Sequence, residues 1–282
     1  MKKILVPTDF SVLAQAATDV AVDMAKKMNA EIVLLHVIEQ PSSSSFNVTG
    51  EANYYGEGEN KLFTLKLIQK SKGQLTDAIE TVKLRGVKAK GELRMGNPFH
   101  GIRAVIEDHK TDLIIMGTEG RSKLDSMIIG SNTEKVIRHS VCPVLTINKR
   151  SKTVNFKNIV YATSLLGGEE KFVKVVSEIQ EYFKSKLHLV WINTPAVFQP
   201  DLVVRKTLQD FASKQKLKNF SISIFNDYSP EEGIIHFADS IHADAIAMAT
   251  HGRTGFAHVL VGSISEEVAK HAHRPVITFL VK

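Results

Sequence analysis

The chain has 282 residues, of which 43% are hydrophobic and 23% are charged, as in an ordinary globular protein. No apolar run approaches the roughly 20 residues that a helix needs to cross a bilayer, so no membrane association is expected. The formal net charge is +6, but the basic residues are spread over both halves, and this distribution disfavours nucleic acid as a partner.

The single cysteine and the N-terminus both bear on the compartment. Because Cys142 is the only cysteine, no disulfide can form within the chain, and a reducing environment is expected. Residues 1–9 contain too short an apolar run for a secretory signal peptide and reach an acidic residue at once. These observations predict a cytoplasmic protein whose cysteine is a buried, inert thiol.

The first half alternates between strand and helix patterns. Short apolar runs predict strands at residues 4–7, 31–38, 87–95, 113–116 and 144–147. Apolar residues at helical spacing follow Ser11 and recur over residues 62–82, Pro98 opens a third helix, and residues 132–139 form a fourth. Residues 41–60 are rich in serine and glycine and predict a long loop, either a partner-binding lid or a linker.

The second half repeats the first. The motif Met-Gly-Thr-Glu-Gly-Arg at residues 116–121 returns as Met-Ala-Thr-His-Gly-Arg at residues 248–253, and each copy continues into a Gly-Ser pair and a Pro-Val pair. Strands are expected near residues 159–162, 187–192, 220–226, 245–248 and 276–281. A repeat this long is a duplicated domain, so we predict one domain over residues 1–148 and a second over residues 154–282.

Strands that alternate with helices predict a parallel sheet with helices on both faces, that is, two doubly wound α/β domains in tandem. In such a sheet, ligands bind beyond the carboxyl ends of the strands. Two loops of the first domain meet this condition. One carries Thr8 and Asp9, and the other runs from Gly117 to Gly130.

The second of these loops has the features of a phosphate site. Gly117 and Gly120 allow backbone conformations and close approaches that other residues do not. Gly130 and Ser131 precede a predicted helix, whose unpaired N–H groups and positive end attract anions. The hydroxyl groups of Ser131 and Thr133 are further candidate donors.

These residues also allow other interpretations. Asp9 is placed to accept hydrogen bonds from ribose hydroxyls, as acidic residues do in dinucleotide sites. The pattern Ser131-x-x-Glu134 is equally a capping box, in which Ser131 would be a helix N-cap and nothing more. Because the chain has neither a Gly-Lys-Ser/Thr sequence nor a Gly-x-Gly-x-x-Gly fingerprint, a P-loop NTPase and a Rossmann dehydrogenase are both disfavoured.

The combined motifs resemble those of the universal stress protein family. They are Val-Pro-Thr-Asp-Phe-Ser at residues 6–11, Leu-Leu-His-Val-Ile-Glu at residues 34–39, and Gly-x2-Gly-x9-Gly-Ser from Gly117, followed by Pro-Val. The resemblance covers both halves and implies two five-stranded parallel sheets of order 3-2-1-4-5, the adenine nucleotide alpha hydrolase-like fold. It also implies that the last strands, residues 144–147 and 276–281, pair within the chain as a pseudo-dimer.

Some proteins of this family bind ATP or AMP, and others bind no nucleotide. The resemblance implies that Asp9 holds the ribose, that the Val37 region lines the adenine, and that the glycine segment holds ribose and phosphates, with Mg²⁺ as a candidate ion. The predicted nucleotide site comprises Thr8, Asp9, Val37, Met116, Gly117, Gly120, Arg121, Gly130, Ser131, Asn132 and Thr133. Neither a catalytic residue nor a protein-bound metal site is predicted.

The second copy departs from this pattern at three places. In the sequence alignment of the two halves, Ala249 replaces Gly117, Ser164 replaces Asp9, and Trp191 replaces Val37. A Cβ at position 249 disfavours positive φ and would crowd a close ligand, and serine cannot accept two charge-assisted hydrogen bonds. We therefore predict that the second site is degenerate or takes a different ligand.

The expected function is that of a nucleotide-binding regulatory protein of the stress response, with one competent site in the first domain. Two alternatives stay open. One is a slow ATPase, although the loop from Gly117 to Gly130 offers no obvious base, since Glu119 and Asp125 are its only acidic residues. The other is a nucleotide-free scaffold that acts through protein contacts. An unknown protein partner and further homodimerisation are compatible with each of these functions.

Overall fold

The computed structural model describes residues 1–39, 57–118, 130–148, 155–165, 167–251 and 263–281. In the first half the elements are β1 (Lys3–Pro7), α1 (Val12–Met28), β2 (Glu31–Ile38), α2 (Glu57–Leu84), β3 (Ala89–Met95), α3 (Pro98–His109), β4 (Leu113–Gly117), α4 (Ser131–His139) and β5 (Val144–Ile147). In the second half they are β6 (Asn158–Ala162), α5 (Glu170–Phe183), β7 (Lys186–Asn193), α6 (Asp201–Lys214), β8 (Phe220–Asn226), α7 (Pro230–Ser240), β9 (Ala245–His251), α8 (Ser263–His271) and β10 (Val276–Val281).

All of these strands belong to one sheet, whose order is β3-β2-β1-β4-β5-β10-β9-β6-β7-β8. Within each half the neighbouring strands are parallel, and each half has the order 3-2-1-4-5. The predicted fold class, two doubly wound α/β units of this order in tandem, is therefore confirmed.

The two halves meet at β5 and β10. These strands pair antiparallel, with Val276 opposite Thr146 and Thr278 opposite Val144. The predicted pairing of the two last strands within one chain is thus confirmed, and it makes one continuous mixed sheet of what the sequence suggested as two sheets.

Two apolar layers cover the faces of the sheet. One layer packs strand residues such as Val6 and Tyr161 against α1, α2, α5 and α6, and the other packs Leu5 and Val160 against α3, α4, α7 and α8. Because successive strand residues point to opposite faces, a strand covered on both sides needs apolar residues at every position. This is why the central strands are short, continuous apolar runs.

Side-chain caps place two helices of the first half immediately after their strands. Ser11 accepts a hydrogen bond from the Ala14 N–H at 3.2 Å and begins α1. Asn97 accepts from the Phe99 N–H at 3.0 Å and begins α3, whose first residue is a proline. Such caps satisfy N–H groups that have no partner within the helix. The helices therefore start close to the carboxyl edge of the sheet.

The segment between β2 and α2 differs in part from expectation. Helix α2 begins at Glu57, so the last residues of the predicted loop are helical. Residues 40–56 lie outside the described residues, as do residues 149–154, where the predicted domain boundary falls. The lid or linker role of the loop and the boundary itself stay predictions.

Cys142 is buried, as predicted for an inert thiol. Its Sγ donates to the Thr111 carbonyl oxygen at 3.3 Å, and burial raises the pKa of the thiol well above its ordinary value. A raised pKa keeps the sulfur protonated and unreactive. Among the helices of the described ranges, none combines the length and apolar character needed to span a membrane.

Candidate functional site

A cleft of about 270 Å³ opens at the carboxyl ends of β1, β2 and β4, beside the N-terminus of α4. Its wall contains nine of the predicted site residues, Thr8, Asp9, Val37, Met116, Gly117, Gly130, Ser131, Asn132 and Thr133. The two others, Gly120 and Arg121, lie outside the described residues. Distant segments meet here because parallel strands end at the same edge of the sheet.

The loop after β1 is a tight turn that is anchored to β2. The Thr8 N–H donates to the Leu35 carbonyl oxygen at 2.8 Å, and Nδ1 of His36 lies 2.7 Å from the Thr8 carbonyl oxygen. Phe10 has a φ of 61°, in the left-handed region, and its N–H donates to Thr8 Oγ1 at 3.0 Å. The turn therefore holds Asp9 at a defined position in the cleft wall.

Asp9 uses one carboxylate oxygen within the turn. Its Oδ1 accepts from the Ser11 N–H at 3.0 Å. No donor of the described residues contacts its second oxygen, Oδ2. A half-buried carboxylate of this kind can accept hydrogen bonds from hydroxyl groups of a ligand.

The glycine loop begins and ends at one point of the cleft. The Gly130 N–H donates to the Thr118 carbonyl oxygen at 2.8 Å, and the Thr118 N–H donates to the Ile147 carbonyl oxygen at 2.9 Å. The Thr133 hydroxyl donates to the Gly117 carbonyl oxygen at 3.0 Å. This bond ties the start of α4 to the end of β4. It also uses the hydrogen of the Thr133 hydroxyl within the protein, and the expectation that Thr133 donates to a ligand stays a prediction.

Gly117 is needed for packing and not for its backbone conformation. The described glycines with positive φ are Gly86, Gly96, Gly167 and Gly168. A Cβ built on Gly117 would lie 3.0 Å from Leu13 Cβ and 3.3 Å from the Leu13 carbonyl group. The expectation that Gly117 adopts a conformation closed to other residues is therefore wrong. The missing side chain lets α1 approach the end of β4 closely.

Helix α4 has Gly130 as its N-cap, with φ −58° and ψ 137°, and no side chain of the described residues caps it. Ser131 is the first residue of the helix, so the interpretation of Ser131 as an N-cap is wrong. The first N–H groups of a helix have no acceptor within it, and they carry the positive end of the helix dipole. Because Ser131 and Asn132 line the cleft, this end of α4 can bind an anion there.

Part of the cleft wall is apolar. It is formed by Val37 with Ala14, Leu35, Pro98, Ile102 and Met116. Helix α3 packs closely on β2 because Gly101 has no side chain. A Cβ on Gly101 would lie 2.9 Å from Val37 Cγ2. Sequence reasoning did not assign Pro98 or Ile102 to the site, although both recur in the second half as Pro230 and Ile234.

His36 and Glu39 also line the cleft and were not assigned from the sequence. Both lie in the Leu-Leu-His-Val-Ile-Glu motif that carried the resemblance, so that motif was the available signal. Its periodicity alone marks a buried strand and cannot tell which side chains reach the end of the sheet.

Strand registers correct the alignment of the two halves. Ile4 pairs with Ile32 in the first half, and its counterpart Ile159 pairs with Leu187 in the second. When residues are counted along β2 and β7 from these two pairs, each β2 residue corresponds to the β7 residue one position later than in the sequence alignment. In a strand, a shift by one residue moves a side chain to the opposite face.

The corrected counterpart of Val37 is Ile192. Helix contacts agree with this assignment, because a Cβ on Gly101 would meet Val37 and a Cβ on the equivalent Gly233 would meet Ile192. The predicted replacement of Val37 by Trp191 is therefore wrong, since Trp191 corresponds to the residue before Val37. The apolar wall is in this respect retained in the second half.

The second half builds its first loop around an internal carboxylate. Residues 163–169 connect β6 to α5, whereas residues 8–11 connect β1 to α1. Glu169 is buried and accepts hydrogen bonds from Tyr161 Oη at 2.6 Å and Thr163 Oγ1 at 2.8 Å. Burial, together with the nearby Glu169, raises the pKa of Tyr161 well above its ordinary value, so the phenol remains a donor. Degeneracy of the second site stays a prediction. The longer loop with its buried Glu169 carboxylate supports that prediction.

The comparisons of this chain with known proteins all point to the same family. A protein-family model of the universal stress protein family matches residues 1–148 and again residues 155–279. A universal stress protein of Synechocystis is 25% identical over 297 residues, which cover 99% of this chain and 100% of that protein. A universal stress protein of Methanocaldococcus jannaschii is 35% identical over 158 residues, which cover 53% of this chain and 96% of the relative.

The fold of the whole chain also has a solved counterpart. The crystal structure of a universal stress protein from Archaeoglobus fulgidus superimposes with a TM-score of 0.76 at 20% sequence identity, and the match covers 99% of this chain and 98% of that one. The double family match and this end-to-end similarity show that the chain belongs to the universal stress protein family as a tandem member with two such domains.

Proposed function

We propose that the first half of the chain binds an adenine nucleotide, ATP or AMP, and that the protein acts as a regulatory binding protein of the stress response. The proposal rests on one observation, that three chemically different surfaces line the same cleft. A carboxylate, an apolar wall and an uncapped helix N-terminus line it together, through Asp9, Val37 and Ser131. A nucleotide has hydroxyl, aromatic and anionic parts that require these three surfaces.

Each part of the nucleotide then has a chemical match. The apolar side chains around Val37 and Ile102 would take the base. Oδ2 of Asp9 would accept from the ribose hydroxyls, as in other nucleotide sites. The N–H groups at the start of α4 and the exposed hydroxyl of Ser131 would donate to phosphate oxygens.

Mg²⁺ is proposed only together with the phosphates. The residues at the phosphate end are hydroxyl and amide residues, Ser131 and Asn132, and neither supplies a carboxylate. Mg²⁺ in nucleotide sites commonly keeps several waters and binds phosphate oxygens with one or two protein ligands. In this proposal the protein therefore orients the phosphates, and the phosphates hold the ion.

The first experiment is a calorimetric titration of ATP, with Mg²⁺, into the wild type and the Gly130→Val variant. The φ and ψ of Gly130 are open to any residue, so valine would act by filling space beside the ligand and not by straining the backbone. We expect one site in the wild type and a loss of binding in the variant. Ser164→Ala, in the matching loop of the second half, is the control and should bind like the wild type.

The same titration separates the rival functions. Binding by Gly130→Val as tight as that of the wild type would contradict the proposed site. A wild type that binds no nucleotide would favour a scaffold that acts through protein contacts. Release of phosphate from the titrated sample, if it depends on the protein, would instead favour the slow ATPase.

A further inference from the structure

His36 makes a contact that ties the cleft to the strand beneath it. Its Nδ1 lies 2.7 Å from the Thr8 carbonyl oxygen, and its ring is half-buried at the end of β2. A carbonyl oxygen can only accept a hydrogen bond, so the hydrogen of this bond lies on Nδ1. His36 thus holds the backbone of the residue that precedes Asp9.

The same imidazole supports the other end of the turn. Phe10 has a φ of 61°, a conformation that bulky residues avoid unless their surroundings impose it. The Phe10 ring packs on the His36 ring, with centroids 4.5 Å apart. Asp9 lies between Thr8 and Phe10, so both of its neighbours in the chain contact one side chain.

The second half offers an internal comparison. Its turn is kept, because Leu165 has a φ of 58° and donates its N–H to Thr163 Oγ1 at 3.0 Å. The counterpart of the histidine is Trp191, whose Nε1 donates instead to Asn193 Oδ1 at 3.0 Å. This half has Ser164 where the first has Asp9. The histidine anchor is therefore present in the half that has Asp9 and absent from the half that has Ser164 at that position.

We propose that His36 is a positioning residue of the first site, which fixes the carboxylate of Asp9 for a ligand hydroxyl by holding Thr8 and packing on Phe10. The inference rests on the proposed nucleotide function. It assigns to His36 no contact with the nucleotide, and its effect passes through Asp9.

The test compares three substitutions at one position. Asparagine places its amide nitrogen where the imidazole has Nδ1, glutamine places it near Nε2, and leucine has no donor. In ATP titrations, His36→Leu and His36→Gln should weaken binding about tenfold, whereas His36→Asn should stay within about threefold of the wild type. Repeating His36→Leu in an Asp9→Asn background should cause little further loss, since coupled residues are not additive.

A second measurement does not depend on nucleotide. Nitrogen NMR of the histidine-labelled protein, with the ring neutral, should show the hydrogen of His36 on Nδ1. The opposite tautomer would overturn the inference even if ATP binds.

The binding results separate this inference from the proposed function. Wild-type affinity in His36→Leu, equal losses in the leucine and asparagine variants, or full additivity with Asp9→Asn would each reject the role of His36 while leaving nucleotide binding intact. A wild type without affinity for ATP would reject the proposed function, and the role of His36 with it.

Discussion

Two glycines of the first half differ in what a single methyl group would meet. Gly117 ends β4, where an added Cβ would lie 3.0 Å from Leu13, whereas Gly73 lies on the exposed side of α2 with nothing within 4 Å. Glycine in a helix is unfavourable because the unfolded chain is more flexible there. One glycine is therefore required by packing, and the other only lowers the stability of its helix.

Gly117→Ala is expected to lower the free energy of unfolding by about 1–3 kcal/mol, because α1 must move to admit the methyl group. Gly73→Ala should raise it by about 0.5–1 kcal/mol. Urea denaturation followed by circular dichroism measures both changes. Similar values for the two variants would show that contact with Leu13 does not restrict position 117.

The pair of Asp227 and His236 predicts a pH dependence. His236 Nδ1 lies 2.7 Å from Asp227 Oδ2, and this hydrogen bond raises the pKa of His236 and lowers the pKa of Asp227. The histidine contribution to stability is complete below its ordinary pKa of 6.5 and is lost as the pH rises through its raised pKa. The aspartate contribution is present above 3.8 and is lost as the pH falls through its lowered pKa. The pair therefore stabilises the fold most between these two ordinary values.

The gain in stability should be small, because the His236 side chain is 58% exposed. Proton NMR titration is the more sensitive measurement. Asp227→Asn should return the pKa of His236 toward 6.5. The pKa of His188, which burial lowers, should not respond and serves as the control. An unchanged His236 titration would mean that Asp227 does not hold the imidazole.

At the scale of elements, helices α3 and α4 begin in different ways. Helix α3 is capped by Asn97, which accepts from the N–H groups of Phe99 and His100 at 3.0 and 3.3 Å. Helix α4 has Gly130 at the same position and no side-chain cap. Within the described residues no side chain accepts from its first N–H groups, so these groups can donate to a ligand or to solvent.

Asn97→Ala should lower the free energy of unfolding by about 1 kcal/mol, the usual cost of a lost cap. Ser131→Ala should change it by less than about 0.5 kcal/mol, because the serine is inside the helix and exposed. Its expected effect is weaker ATP binding. Thermal unfolding and calorimetry of both variants provide the comparison, and equal destabilisation would restore Ser131 as a structural cap.

At the scale of the whole molecule, the two halves share their sheet and their core. The β5–β10 pairing makes the sheet continuous, and both apolar layers contain residues of both halves. Arg138 in α4 donates to both carboxylate oxygens of Glu266 in α8, at 2.8 and 2.6 Å, across the junction. Separate unfolding of one half would expose this shared surface.

We therefore expect a single cooperative unfolding transition. Trp191 is the only tryptophan and reports on the second half, whereas circular dichroism reports on helices of both. The two signals should give the same urea midpoint. ATP bound to the first half should shift both midpoints together. Two separated transitions would show that the halves unfold independently in spite of the common sheet.

Much of this architecture could be predicted because its signals are local. A strand buried on both faces must be apolar at every position, so short runs such as residues 113–116 and 144–147 are recognisable without contacts. Asp9 and Gly130 could be placed at one edge because the topology of parallel sheets sets where loops converge. The misassigned residue Trp191 depends on the hydrogen-bond register between β6 and β7. The bond from the Thr133 hydroxyl to the Gly117 carbonyl oxygen likewise joins segments that are distant in the sequence.

The sequence by itself determined the duplication, the α/β class, the strand order through its family resemblance, and the segments that form the cleft. Only the tertiary structure decided that β5 and β10 pair antiparallel in one continuous sheet, that Gly130 rather than Ser131 is the N-cap of α4, and that His36 holds the turn of Asp9. The pattern of apolar and polar side chains along the sequence indicates which residues are buried, because burial selects for apolar side chains position by position. Hydrogen bonds require donor and acceptor within about 3 Å, and that distance between remote residues follows only from packing.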